Sequence, residues 1–172
     1  MDRASPPAPA SPAVLDIEAS GFGAGSYPIE VGFVLPDGRG YCSLIRPQPH
    51  WTRWDDSAEA IHGISRSTLL AHGRPVAEVT RLLDSHLRGL SVFSDGWGHD
   101  YSWLHQLYDA AGARLSFRLQ CLRSLLDEEA ARRWRAAKAE VLARTGMQRH
   151  RASADARVLQ LTWMALQART PA

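Results

Sequence analysis

Over residues 13–46 the apolar residues recur with the period of a strand, and beyond Pro75 they recur mainly with the period of a helix. A chain that changes period in this way builds strands first and α/β crossovers afterwards. Residues 13–19 (AVLDIEA) alternate, with Val14, Asp16 and Glu18 on one face. Residues 28–35 (PIEVGFVL) and 40–46 (GYCSLIR) predict a second and a third strand, joined by an Asp37-Gly38 hairpin turn. Pro75 opens a helix with the stripe Val76, Val79, Leu82, Leu83 and Leu87, and Gly89 stops it. Residues 90–94 read as a short buried strand. A second helical stripe, Trp103, Leu104, Leu107 and Tyr108, spans residues 100–111 and ends at Gly112. Residues 115–119 are the expected fifth strand. A charged helix over 128–144 and a last helix over 153–168 complete the order. The order predicts an α/β fold: a mixed five-stranded sheet, an antiparallel three-strand meander plus parallel strands, flanked by helices.

The 172 residues fit one domain, expected over 13–172. Residues 1–12 (MDRASPPAPASP) hold nothing that could build a core and are expected to be a disordered tail. No apolar run is long enough to span a bilayer, and no basic-then-apolar segment opens the chain, so neither a membrane nor a secretory signal is expected. Cys42 and Cys121 match no metal-ligand spacing and read as buried free thiols. Together these features favour a reducing, cytoplasmic location. The net charge of +2 at pH 7 permits a polyanionic partner without requiring one.

The strand pattern does not account for Asp16-Ile17-Glu18. Residues i and i+2 of a strand point the same way, so two carboxylates aim at one spot. Their repulsion is costly unless a cation sits between them. Taken alone, so short a motif serves equally as the exposed edge of a strand. Its surroundings narrow the reading. It leads into a glycine loop (Ala19, Ser20, Gly21) where backbone can approach a ligand closely. Asp95 and Asp100 follow the fourth strand, and Asp100 starts a helix, where the dipole alone would favour an acid. His150 and Asp155 flank the start of the last helix. Ligand sites in α/β sheets gather at strand ends, so these groups can meet there. A set of carboxylates without a thiolate suits Mg²⁺ or Mn²⁺.

The order Asp-x-Glu, Asp, His-x4-Asp resembles the DEDDh group of proofreading-type 3'→5' exonucleases, which have a ribonuclease H-like fold. VLDIEASGFG is similar to the first motif of that family, VFSDGWGHDYSWL to the second and HRASADA to the third. AEAIHGIS resembles its His-Gly-Ile segment, and PIEVG, with Glu30, follows the pattern of its second strand. His99 stands where an aromatic is common, Ser153 where Leu is common, and Asp95 where an Asn often sits. The resemblance implies that Asp16, Glu18, Asp100 and Asp155 hold two divalent cations, Mg²⁺ or Mn²⁺. It implies that His150 takes the proton of the attacking water. It implies that Ala19, Ser20, Gly21, His62, Gly63 and Ile64 bind the terminal nucleotide. The implied partner is a nucleic acid with a free 3' end, DNA or RNA, cut to nucleoside 5'-monophosphates; a homodimer is compatible with the family.

Other residues take humbler readings. Asp95 reads as a turn or supporting residue, Glu30 as structural, and His99 and His105 as non-ligands. Trp51, Trp54 and Trp97 are loop aromatics available for stacking on an unpaired base. Trp103, Trp134 and Trp163 read as packing. Arg132, Arg133, Arg135, Lys138, Arg144, Arg149 and Arg151 either meet phosphates or form a solvated helix face. The alternative to an enzyme is a catalytically silent module of the same fold that binds nucleic-acid ends.

Overall fold

The alternation at residues 13–19 becomes the central strand of the sheet, β1 (Ala13–Ala19). The structure, a computed structural model, describes residues 11–168. β2 (Pro28–Val34) pairs antiparallel with β1, and β3 (Gly40–Leu44) antiparallel with β2. β4 (Ser91–Ser94) and β5 (Arg118–Cys121) add in parallel on the other side, giving the order β3-β2-β1-β4-β5. This is the expected mixed five-stranded sheet. The parallel pairing brings the C-terminal ends of β1, β4 and β5 to one edge. Among the described residues six α-helices accompany it: α1 (Asp56–His62), α2 (Arg66–His72), α3 (Val76–Leu87), α4 (Trp97–Ala110), α5 (Glu128–Thr145) and α6 (Ala152–Gln167).

β1 divides two cores. Leu15 and Ile17 belong to a large buried cluster with Phe33, Leu69, Leu83 and Leu104. Val14 belongs to a small one with Val34, Phe93, Leu122, Ala156 and Leu159. On that second side α6 covers β1 and β2, and α5 packs on α6. Gly32 of β2 is what lets α6 come so near. A Cβ there would lie 2.1 Å from the Ser153 nitrogen and 2.3 Å from the Ala152 carbonyl carbon. Gly32 stands directly opposite Asp16 in the strand pair. The missing side chain therefore seats the start of α6 beside the acidic segment of β1.

Several expectations need correction. The fifth strand is Arg118–Cys121 rather than 115–119, because β4 begins only at Ser91 and Ser91 pairs with Arg118. The loop that carries Trp51 and Trp54 ends where the Asp55 side chain accepts from the Ser57 N–H and starts α1. α1 and α2 have seven residues each, too few for a stripe to show in the sequence. Trp97 lies at the start of α4 rather than in a loop. Trp51 is buried and stacks on Tyr27 with ring centroids 5.4 Å apart, so it offers no surface for a base. Cys42 is exposed and Cys121 is half-buried, not buried as expected. Cys42 sits on β3, an edge strand, and Cys121 ends β5, the other edge. Of the expected tail, residues 1–10 lie outside the described residues; Pro12 is buried, and its carbonyl accepts from Gln160 Nε2 at 2.9 Å. No helix among the described residues is long and apolar enough to cross a membrane.

Candidate active site

Asp16 and Glu18 are half-buried on β1, at positions that alternate with Leu15 and Ile17 of the large core. The β1–β2 register shifts between Glu18 and Ala19. Such irregularities re-aim side chains at the ends of sheets. Asp100 lies in the first turn of α4 and is buried. Ser94, the last residue of β4, donates its hydroxyl to Asp100 Oδ2. Asp155 lies in the first turn of α6, and its Oδ2 accepts from the His150 backbone N–H at 2.7 Å. His150 has φ +61°, a left-handed conformation that costs a non-glycine residue about 1–2 kcal/mol. The Asp155 hydrogen bond helps hold it there. One donor atom each from Glu18, His150 and Asp155 lie within 4.8 Å of one another.

The carboxylates disturb one another. Burial, and then the charges of Asp100, Glu18, Asp155 and Asp95, push Asp16 well above the ordinary carboxylate range. Burial, followed by Asp155 and Glu30, raises Glu18 to about 7. Asp100 is also raised to about 7, chiefly by burial, with the Ser94 hydrogen bond opposing and Asp95 and Glu18 adding. Asp16, Glu18 and Asp100, which resist ionisation together, and Asp155 beside them form a ligand set for a hard divalent cation. The donor chemistry fits Mg²⁺ or Mn²⁺.

Glu30 stands directly across β1–β2 from Glu18. Like charges so placed repel. Glu30 is instead engaged: Arg151 Nη2 donates to it at 2.7 Å, Arg151 Nε at 3.2 Å, and the Ala152 N–H at 2.9 Å. One buried acid thus ties the start of α6, and with it His150, to β2. On the other side Lys138 of α5 donates to Asp95 at 2.9 Å. Arg132 and Arg133 pair with Glu128 and Glu129 along the exposed face of α5.

A cavity of about 170 Å³ opens beside Glu18 and His150. Of the six residues expected to bind a nucleotide, Ala19, Gly21 and His62 line it; Ser20, Gly63 and Ile64 do not. Ser20 is fully buried and its Oγ accepts from the Tyr27 N–H. Gly63 caps α1 with φ +69°, and Ile64 belongs to the core. His62 Nδ1 accepts from the Ile64 N–H at 3.0 Å, which places the proton of the neutral ring on Nε2. Nε2 is buried with no partner among the described residues. Such a donor calls for an acceptor.

Two exposed apolar residues of this cavity escaped the sequence reading. Phe22 is 64% exposed and Ile61 57% exposed, and both line it. Phe22 left a signal: a large apolar residue inside a glycine loop. Ile61 left none, because its helix was not visible. The rings of Phe22, His99 and Trp103 lie in mutual contact, with centroids 5.4–5.9 Å apart. Trp54 donates to Glu59 and Trp97 to the Leu119 carbonyl.

Fold and site together define a ribonuclease H-like α/β architecture with a carboxylate cluster at the sheet edge. Among solved structures the chain is similar to E. coli exonuclease I in complex with a dA16 oligonucleotide, with a TM-score of 0.66 and 12% identity over 92% of this chain and 41% of that one. It is similar to the zinc-bound form of the E. coli exonuclease I–single-stranded DNA complex (TM-score 0.65, 12% identity, 92% and 40% covered). It is also similar to a moderately thermophilic exonuclease I from Methylocaldum szegediense (TM-score 0.61, 15% identity, 92% and 40% covered). The chain spans about 40% of the length of these proteins, and the likeness is one of fold. No protein-family model matches the chain, and no curated protein does.

Proposed function

We propose that this protein is a metal-dependent 3'→5' exonuclease of the DEDDh type. One observation carries the reading. Glu18 of β1 and Asp155 of α6 lie with His150, Asp16 and Asp100 of α4 couple electrostatically to these acids, and the adjoining cavity holds His62 Nε2, buried with no partner among the described residues. Asp16, Glu18, Asp100 and Asp155 would hold two divalent cations. Bound there, these would supply Lewis-acid stabilisation of phosphate charge and make water a better nucleophile. His150 would accept the water proton on its imidazole, a group suited to transfers near neutral pH. Asp155 orients His150 through its backbone N–H, and Glu30 anchors the adjoining Arg151. Phe22 would stack on the terminal base, and His62 Nε2 would donate to an acceptor on the same nucleotide. The fold likeness to exonuclease I complexes with single-stranded DNA supports a nucleic-acid substrate.

The test is a cleavage assay on 3'- and 5'-labelled single-stranded DNA and RNA in Mg²⁺, Mn²⁺ and EDTA. Stepwise shortening from the 3' end, abolished by EDTA and by Asp16→Ala, is the expected result. Tight binding without cleavage in either metal would replace the enzyme by a module that holds nucleic-acid ends.

A further inference from the structure

A strand whose last nucleotide fills the cavity beside Glu18 must carry its next nucleotide past the carboxylates. A second cavity, of about 240 Å³, lies on the β4–β5 side of the cluster and is lined by Asp95, Leu122, Arg123, Leu126 and Trp134 among others. It opens at the edge where β4 and β5 end, the same edge that Glu18 reaches from β1. Asp95 links it to the catalytic cluster, because its charge acts on both Asp16 and Asp100.

The lining has a definite chemistry. Trp134 is half-buried, with one side packed on the small core that holds Leu122. Arg123 is exposed and forms no ion pair among the described residues. Asp95 by itself would repel a phosphate, but Lys138 sits 2.9 Å from it and cancels the charge. An aromatic ring, an apolar floor and the Arg123 guanidinium at one opening suit an unstacked nucleotide. The ring stacks on the base and Arg123 meets the phosphate. A base inside a duplex has both faces covered by its stacked neighbours.

We propose that this cavity binds the nucleotide upstream of the scissile bond, its base against Trp134 and its phosphate near Arg123. The proposal rests on the exonuclease reading. It separates substrates by length. The ester thymidine 5'-(p-nitrophenyl phosphate) carries one nucleotide, and its leaving group replaces the upstream sugar with no further base or phosphate to place in the second cavity, whereas a single-stranded oligonucleotide supplies both.

The experiment compares Arg123→Ala and Trp134→Leu with wild type on both substrates, with thermal melting to verify folding. Arg123 is exposed, so its variant keeps the test valid where the Trp134 variant does not fold. Each variant is expected to raise KM for the oligonucleotide roughly tenfold, the scale of one stacked base, and to leave kcat/KM for the ester unchanged. Equal losses on both substrates, or none on either, would overturn the proposal. Binding of a fluorescent single-stranded oligonucleotide to each folded variant is measured alongside. A wild type inert on both substrates would sink the exonuclease reading alone. The binding arm would still decide the cavity: a roughly tenfold weaker Kd in Arg123→Ala supports it, and an unchanged Kd refutes it.

Discussion

The two faces of β1 are built on opposite principles. Ala13, Leu15, Ile17 and Ala19 are all buried in the large cluster, where each apolar atom removed from water stabilises the fold. Val14, Asp16 and Glu18 alternate with them, and only Val14 packs in a core. In the other two, burial first and neighbouring acids next, Asp100 and Glu18 for Asp16 and Asp155 and Glu30 for Glu18, raise the proton affinity. One strand thus stores stability on one side and accepts an electrostatic cost on the other. The cost is tolerable because the apolar face carries the fold. It is useful because a bound metal cation relieves it while the carboxylates stay ionised.

Four measurements would break or sharpen this contrast. The largest effect is expected from Asp16→Asn. Catalysis in Mn²⁺ should fall about a thousandfold or more, the scale of losing metal-assisted charge stabilisation. The melting temperature in EDTA at pH 8 should rise, because a repelled carboxylate has gone. A fall in that melting temperature would show that Asp16 stabilises the fold and the contrast is false. Leu15→Ala, its neighbour on the other face, should do the reverse. Denaturant unfolding should show a loss of about 2–5 kcal/mol, with kcat per folded molecule retained.

Gly32→Ala tests the link between the faces. Its methyl meets backbone of α6 at 2.1 Å, so unfolding free energy should drop by about 1–3 kcal/mol. Activity should fall about a hundredfold as His150 and Asp155 shift from register. Wild-type activity in this variant would mean that α6 can move without consequence.

The smallest effect is a pH-dependent response to metal. Glu18 and Asp100 rise from ordinary values of 4.5 and 3.8 to about 7 in the fold. Between those limits the folded state binds more protons than the unfolded state, so metal-free stability falls as pH rises through that window. A divalent cation removes the penalty. Its stabilisation, read as a melting-temperature increase at saturating Mg²⁺, should be larger at pH 8 than at pH 5. An equal increase at both values would place the binding outside this cluster.

Much of the fold was visible in the residues themselves. The limits of β1 follow from its alternation alone, and α3, α5 and α6 lie within about two residues of where the residues put them, the usual uncertainty at helix ends. α1 and α2 were hidden because seven residues make only two turns. β5 was displaced because Leu115 and Phe117 look strand-like but pack before the ladder begins at Arg118. Of the site, the acids and His150 could be named from their order along the chain. Phe22 and Ile61 could not be assigned to a cavity, since exposure is a property of the assembled surface. Nor could Trp51, which burial against Tyr27 removed from the aromatics free to meet a base.

Residue identity gives the chemistry of the candidate donors, and the strand alternation gives the face of β1 that Asp16 and Glu18 take. That much follows from the two-residue period of a strand, a local property of the backbone. Only the tertiary structure decided that the donors meet. The start of α6 reaches β1 because Gly32 has no side chain, and Glu30 then holds it through Arg151 and the Ala152 N–H. His150 adopts its left-handed backbone because Asp155, five residues on, accepts its N–H. These are contacts between elements far apart in the chain or fixed by a helix terminus. Their geometry depends on packing clearances of a few tenths of an ångström, which residue order does not encode locally.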